Sequence, residues 1–190
     1  KTLLYKSFIN RVLITIFILF SSTSLYSQND TSELPTPTPD IPLSNTIPVC
    51  YINTENGAPI ISKEDYINAE IWIDPVGLPN IEAIGSEESP IVSEIRGRGN
   101  SSWKSYEKKS YRIQFSSKKS PFGFPKSKHF ALLAHAPTQS YFSSETAFEL
   151  ARLIDLDWVP RSYPVEVVLN GVNIGVYAFS ETVRIANGRI

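Results

Sequence analysis

The chain has 190 residues with 18 Lys+Arg against 19 Asp+Glu, and a net charge of −1 excludes a protein held to polyanions by its global charge. Its single cysteine, Cys50, excludes an intramolecular disulfide, so a folded part must rest on a hydrophobic core drawn from the 42% apolar residues. No methionine occurs, so Lys1 is not an encoded start, and the chain reads as a fragment of a longer protein.

Lys1, Lys6 and Arg11 form a basic leader to the apolar run Val12 to Phe20, which passes into the hydroxyl-rich stretch Ser21 to Ser27. That order predicts a secretory signal peptide over 1–27, cleaved after Ser27. The nine-residue apolar run is short of the roughly 20 residues a membrane-spanning helix needs, so no stable span is expected once it is removed. The remaining chain holds 15 Lys+Arg against 19 Asp+Glu, which together with export argues against a nucleic-acid partner. An extracytoplasmic, secreted or cell-surface protein of bacterial type is expected.

Residues 28–48 are rich in proline and threonine, as in Leu34-Pro35-Thr36-Pro37-Thr38-Pro39, and predict an extended linker. A domain is expected over 49–190. Val49 to Ile52, Ile67 to Asp74, Ser93 to Arg98 and Ser110 to Phe115 carry the β-branched and aromatic residues of strands. In the last of these Tyr111, Ile113 and Phe115 share one face and Arg112 and Gln114 the other, because side chains alternate along a strand. Phe130 to Ala134 is a buried run that fits a strand or a helix.

From Ser143 or Ser144 to about Asp155 the period becomes helical, with Ala147, Leu150, Ala151 and Ile154 on one stripe and Ser144 as N-cap. Pro164 to Leu169, Asn170-Gly171 and Val172 to Phe179 predict a hairpin through a primed turn, with Gly175 marking a bulge or a close approach. The predicted class is α+β, a mostly antiparallel sheet with one main helix.

Ten of the fifteen cations beyond residue 27 fall between Arg96 and Lys128, where Glu107 is the only acid. Inside that segment Arg96-Gly97-Arg98-Gly99-Asn100-Ser101-Ser102-Trp103 lacks the spacing of a dinucleotide fingerprint or a P-loop. It fits a phosphate-facing turn or a plain turn whose Trp103 packs on the sheet. His129 and His135 are too far apart for a helical metal pair, and no Gly-x-Ser-x-Gly elbow is present. A glycine turn, Lys108-Lys109 leading into a strand, a helix with Glu145 and Glu149, and a hairpin ending at Glu181 follow the element order of a protein-kinase small lobe.

Ile95 to Trp103, Lys108 to Phe115, Ala131 to Ala134, Ala147 to Arg152, Val165 to Gly171, Gly175 to Tyr177 and Glu181 resemble the CotH family in that family's order, over about Ile91 to Arg189. The resemblance implies the N-terminal part of an atypical kinase-like fold. It also implies transfer of phosphate from ATP, with a divalent metal such as Mg²⁺, to serines of an extracytoplasmic partner. Carried over by position, Arg98, Asn100 and Ser101 would form the signature turn and Lys109 would face phosphate. Glu149 would be its helix partner, with Glu145 the alternative, and Glu181 would lie near the base.

The chain departs from the family at Leu133-Ala134-His135, Thr138 and Ser143-Ser144, and no acid follows Glu181. The metal-binding and catalytic aspartates are expected beyond residue 190, so no catalytic or metal residue is assigned in this chain. The alternative is a non-catalytic surface module that binds a glycan or a protein through its basic strands.

Overall fold

The computed structural model describes residues 43–136 and 142–183. The predicted signal peptide, the linker up to residue 42, Thr138 and residues 184–190 lie outside the described residues.

Among the described residues are seven strands: β1 (Val49–Thr54), β2 (Ile67–Asp74), β3 (Ile91–Arg98), β4 (Ser110–Lys119), β5 (Ser127–Leu133), β6 (Ser162–Leu169) and β7 (Val172–Glu181). Two helices join them, the single turn α1 (Ser101–Ser105) and the twelve-residue α2 (Phe142–Leu153). The strands close into a barrel in the order β1-β2-β3-β4-β5-β7-β6.

This closure corrects the expected α+β class with its kinase-like open sheet. β1 pairs antiparallel with β2 on one side and parallel with β6 on the other, Val49 facing Glu166 through Ile52 facing Leu169. An open sheet leaves two rows of unpaired backbone groups, and the parallel seam removes both. Asn170 fastens it: its amide Oδ1 accepts from Thr54 N at 2.8 Å while its backbone N donates to Ile52 O at 2.8 Å. The same residue and Gly171 take positive φ values of 50° and 82°, as the expected primed turn requires.

Alternation fills the interior. Ile71, Ile73, Ile95, Ile113, Phe115, Phe130, Leu132, Val165, Val167 and Phe179 are buried to 0% exposure. Each such side chain contributes roughly 1.5–3 kcal/mol on leaving water. Phe130 packs 5.1 Å from Phe179 and 5.6 Å from Phe115, centroid to centroid, so rings from three strands meet in one cluster. Phe130 to Leu133 is strand, and Phe130, Ala131 and Leu132 are all buried, which is why the run showed no period.

The helix begins at Phe142, so Ser144 lies within its first turn rather than capping it. The expected stripe does not enter the core, for Leu150 is 43% and Ile154 63% exposed. No helix among the described residues is long and apolar enough to cross a membrane.

Candidate functional site

The segment from β3 into α1 serves two faces. Gly97 points inward, and a Cβ added there would lie 2.4 Å from the Trp103 ring, so only glycine leaves room for the indole. Trp103 stands edge-on to Tyr111 at 6.5 Å, and Tyr111 lies 6.1 Å from Tyr177, which extends the aromatic filling of the barrel. Gly99 adopts φ of 116°, in the region side-chain-bearing residues avoid, and releases the chain from β3 into α1. Both glycines are therefore accounted for by packing and by the turn.

The arginines point the other way. Arg96 on β3 lies directly across the ladder from Arg112 on β4, and Arg98 follows two residues on. Together with Lys63 and Asn100 they line a groove of about 540 Å³ on the outer wall. Lys63 Nζ donates to Asn100 Oδ1 at 3.3 Å, Arg96 donates to the Lys63 carbonyl, and its guanidinium lies 4.9 Å over the Tyr66 ring.

Charge in this groove is not neutralised. Among the described residues the ion pairs are His135–Glu145 and Glu149–Arg152, and neither includes Arg96, Arg98 or Arg112. Glu94, the carboxylate next along the β3 face, accepts instead from Gln114 Nε2 at 2.9 Å. Nε of Arg96 and Nε of Arg112 are buried without a hydrogen-bond partner. Each orphaned donor costs about 1–3 kcal/mol, and like charges opposite each other on a ladder cost a further ~0.2–1 kcal/mol. Desolvation, then the Arg112 charge, presses the Arg98 pKa below the ordinary guanidinium value.

The other sequence-predicted residues are placed elsewhere. Ser101 is the exposed first residue of α1. Lys109 Nζ donates to the Trp103 carbonyl at 2.6 Å and sits 5.5 Å over that indole, which ties α1 to the start of β4. Glu149 is exposed on α2 and paired with Arg152, so it does not meet Lys109. Glu181 is buried near the end of β7, where its Oε2 accepts from Arg161 N at 3.0 Å.

A cluster that the sequence pattern did not assemble lies around α2. Lys108 Nζ donates to Val176 O at 2.7 Å, 4.6 Å over the Tyr177 ring and beside Gly175, which has φ of 84°. Gly175 lies in the register shift between the Glu166–Val176 and Val168–Asn173 pairs, the expected bulge, and a Cβ there would meet Lys108 Nζ at an ordinary 3.4 Å rather than another backbone. His135 Nε2 is 3.9 Å from Glu145 Oε1, His135 Nδ1 is 3.4 Å from Ser144 Oγ, and Ser162 Oγ donates to Glu145 at 3.2 Å. Desolvation lowers the His135 pKa, Glu145 opposes that shift and Lys108 adds to it.

In comparison with known proteins, residues 95–186 match the family described as CotH kinase protein. The matched segment runs from β3 through β7 and contains the arginines of the groove as well as the α2 cluster. No curated protein matches the chain.

Proposed function

We propose, for a chain whose residues 95–186 match the family described as CotH kinase protein, that the full-length protein is exported and transfers phosphate from ATP to serines of an extracytoplasmic protein. The family match is the observation that carries this reading. Lys108 and Lys109, at the start of β4, and Glu145, on α2, are groups of the kinds that such chemistry uses to hold phosphate and to orient a lysine. Glu145 Oε2 is buried without a hydrogen-bond partner, so it has acceptor capacity to give.

The fit to the cofactors is uneven. Phosphates suit the cationic residues of the matched segment. A divalent metal has no set of three His, Cys, Asp or Glu donors among the described residues. Those residues therefore do not fit the metal.

The test is to express the full-length protein, supply ATP labelled at the γ-phosphate, and follow label into serine. Label that appears and is lost in Lys108→Ala or Lys109→Ala supports the reading. A folded full-length protein that neither binds ATP nor labels any protein sinks it.

One observation favours a binding module as the second reading. On the outer wall Tyr51 stacks on Trp72, 4.8 Å apart and 9° from parallel, in a groove edged by Asn53, Asp74, Glu87 and Asn173. Aromatic faces with amides and carboxylates around them suit a sugar ring. Glycan binding that survives in the full-length protein without any ATP-dependent labelling would favour this reading over the first.

A further inference from the structure

We propose that the outer groove of β3 and β4 is a binding site for a tetrahedral dianion, a phosphate or sulfate group, gripped by Arg96, Arg98 and Arg112. The inference goes beyond the kinase reading and does not rest on it. Three guanidiniums from two adjacent strands converge with Lys63 and Asn100, and none of the three arginines is ion-paired among the described residues. Arg96 and Arg112 each bury an Nε that has no acceptor, so the donors of neither guanidinium are all satisfied within the chain. Guanidinium groups pair oxyanions through parallel N–H donors, and a dianion can engage more than one of them at once.

Alternatives within the chain are poorer partners. Glu94 is occupied by Gln114, and Glu64 lines the groove without approaching an arginine to ion-pair distance. Across the ladder Arg96 and Arg112 repel, and a bound dianion would convert that repulsion into joint attraction. The lining holds no apolar side chain, so the groove offers nothing on which a nucleobase could stack. Its ligand is therefore the oxyanion itself, free or as a phosphate monoester on a larger molecule, and ATP should gain nothing from its base here.

The experiment titrates the full chain calorimetrically at low ionic strength with inorganic phosphate, O-phosphoserine, inorganic sulfate and acetate. Saturable binding of phosphate or sulfate is expected, with acetate at least tenfold weaker. Arg98→Gln and Arg112→Gln, both on the outer wall, should each weaken binding about tenfold while the circular dichroism is unchanged. Lys118→Gln, in the same basic segment but outside the groove, should leave it intact.

The arms distinguish the source. Preference for phosphoserine that fades below about pH 6, where the phosphomonoester gains a proton, identifies a phosphate ester. Binding of inorganic sulfate that is tighter than that of phosphoserine and does not change over that pH range identifies the free inorganic dianion. Saturation by neither ion up to about 10 mM, or affinity equal in the parent, Arg98→Gln and Arg112→Gln, overturns the proposal. So does loss in Lys118→Gln equal to the loss in the groove variants, which would reduce the effect to diffuse charge. Because no ATP or acceptor protein is used, failure here leaves the kinase reading standing, and failure of the labelling test leaves the groove standing.

Discussion

The inner and outer faces of the β3–β4 ladder are built from alternate residues of the same two strands, yet their physics is opposite. Inward, Ile95 and Ile113 belong to the core, and Gly97 and Tyr111 pack against Trp103. Outward, Arg96, Arg98 and Arg112 crowd like charges together and leave two buried N–H donors unanswered. A strand turns successive side chains to opposite faces, so one short motif can spend its glycines on packing and its arginines on a ligand. Stability should then fall when the inner face is changed and rise when the outer face is relieved.

The largest effect expected concerns how completely the inner face is sealed. Cys50 is fully buried on β1, and burial pushes its thiol up to about 12. Since the thiolate is the reactive form, alkylation of the native protein at pH 9 should run roughly 1,000-fold slower than for a free thiol. Mass spectrometry of iodoacetamide-treated protein, with and without urea, checks this. Ready native-state labelling would show that the barrel opens.

Next comes the plug itself. Trp103→Ala should cost about 3 kcal/mol, the low end for a large aromatic because the indole is only partly buried. Gly97→Ala should cost about 2 kcal/mol by overpacking against that ring. In the double variant the methyl has nothing to strike, so the two losses should not add. Additive urea-unfolding energies would separate Gly97 from Trp103 and break the account of the inner face.

Much of the fold was legible because its signals are local. The bounds of β2 over Ile67–Asp74 follow from its β-branched and aromatic run, and the Asn170-Gly171 turn from the two residues that tolerate positive φ. Closure was not legible. It depends on β1 meeting β6, Val49 facing Glu166, and no local pattern encodes a partner so distant in the chain. The helical period was real, yet Leu150 and Ile154 stay exposed, since periodicity marks a face without showing what covers it.

The site divided the same way. Arg98 and Asn100 are neighbours in sequence and do share a groove, whereas Arg112 and Lys63 join them through ladder register and a loop. Lys108 and Lys109 could not be told apart by composition. In space one reaches Val176 and Tyr177 on β7 and the other folds back on Trp103.

A smaller effect, of opposite sign, tests the outer face. Arg112→Gln removes one of two like charges that stand opposite each other, along with a buried Nε that has no partner. It should raise stability by about 0.5 kcal/mol in phosphate-free buffer. The parent should recover the difference when phosphate is added, because a ligand that binds only the folded state stabilises it. A destabilised Arg112→Gln would mean that the arginine is held by interactions that outweigh the repulsion.

The smallest effect sharpens the contrast between the outer groove, where cations are left charged, and the α2 cluster, where one is kept neutral. The His135 side chain is 6% exposed, and desolvation holds its pKa below the ordinary value of 6.5 despite Glu145 at 3.9 Å. The unfolded chain therefore binds the proton more readily than the folded one. Stability is fully present above pH 6.5 and declines as pH falls through the folded pKa, below which the loss is complete. Urea midpoints from pH 7.5 down to 5 should thus slope more steeply for the parent than for His135→Gln, which has no proton to take up. Glu145→Gln should steepen the slope again, since the carboxylate is what opposes the downward shift. Equal slopes for the parent and His135→Gln would assign the pH dependence to the carboxylates, and would mean that His135 is solvated enough to titrate as it does in the open chain.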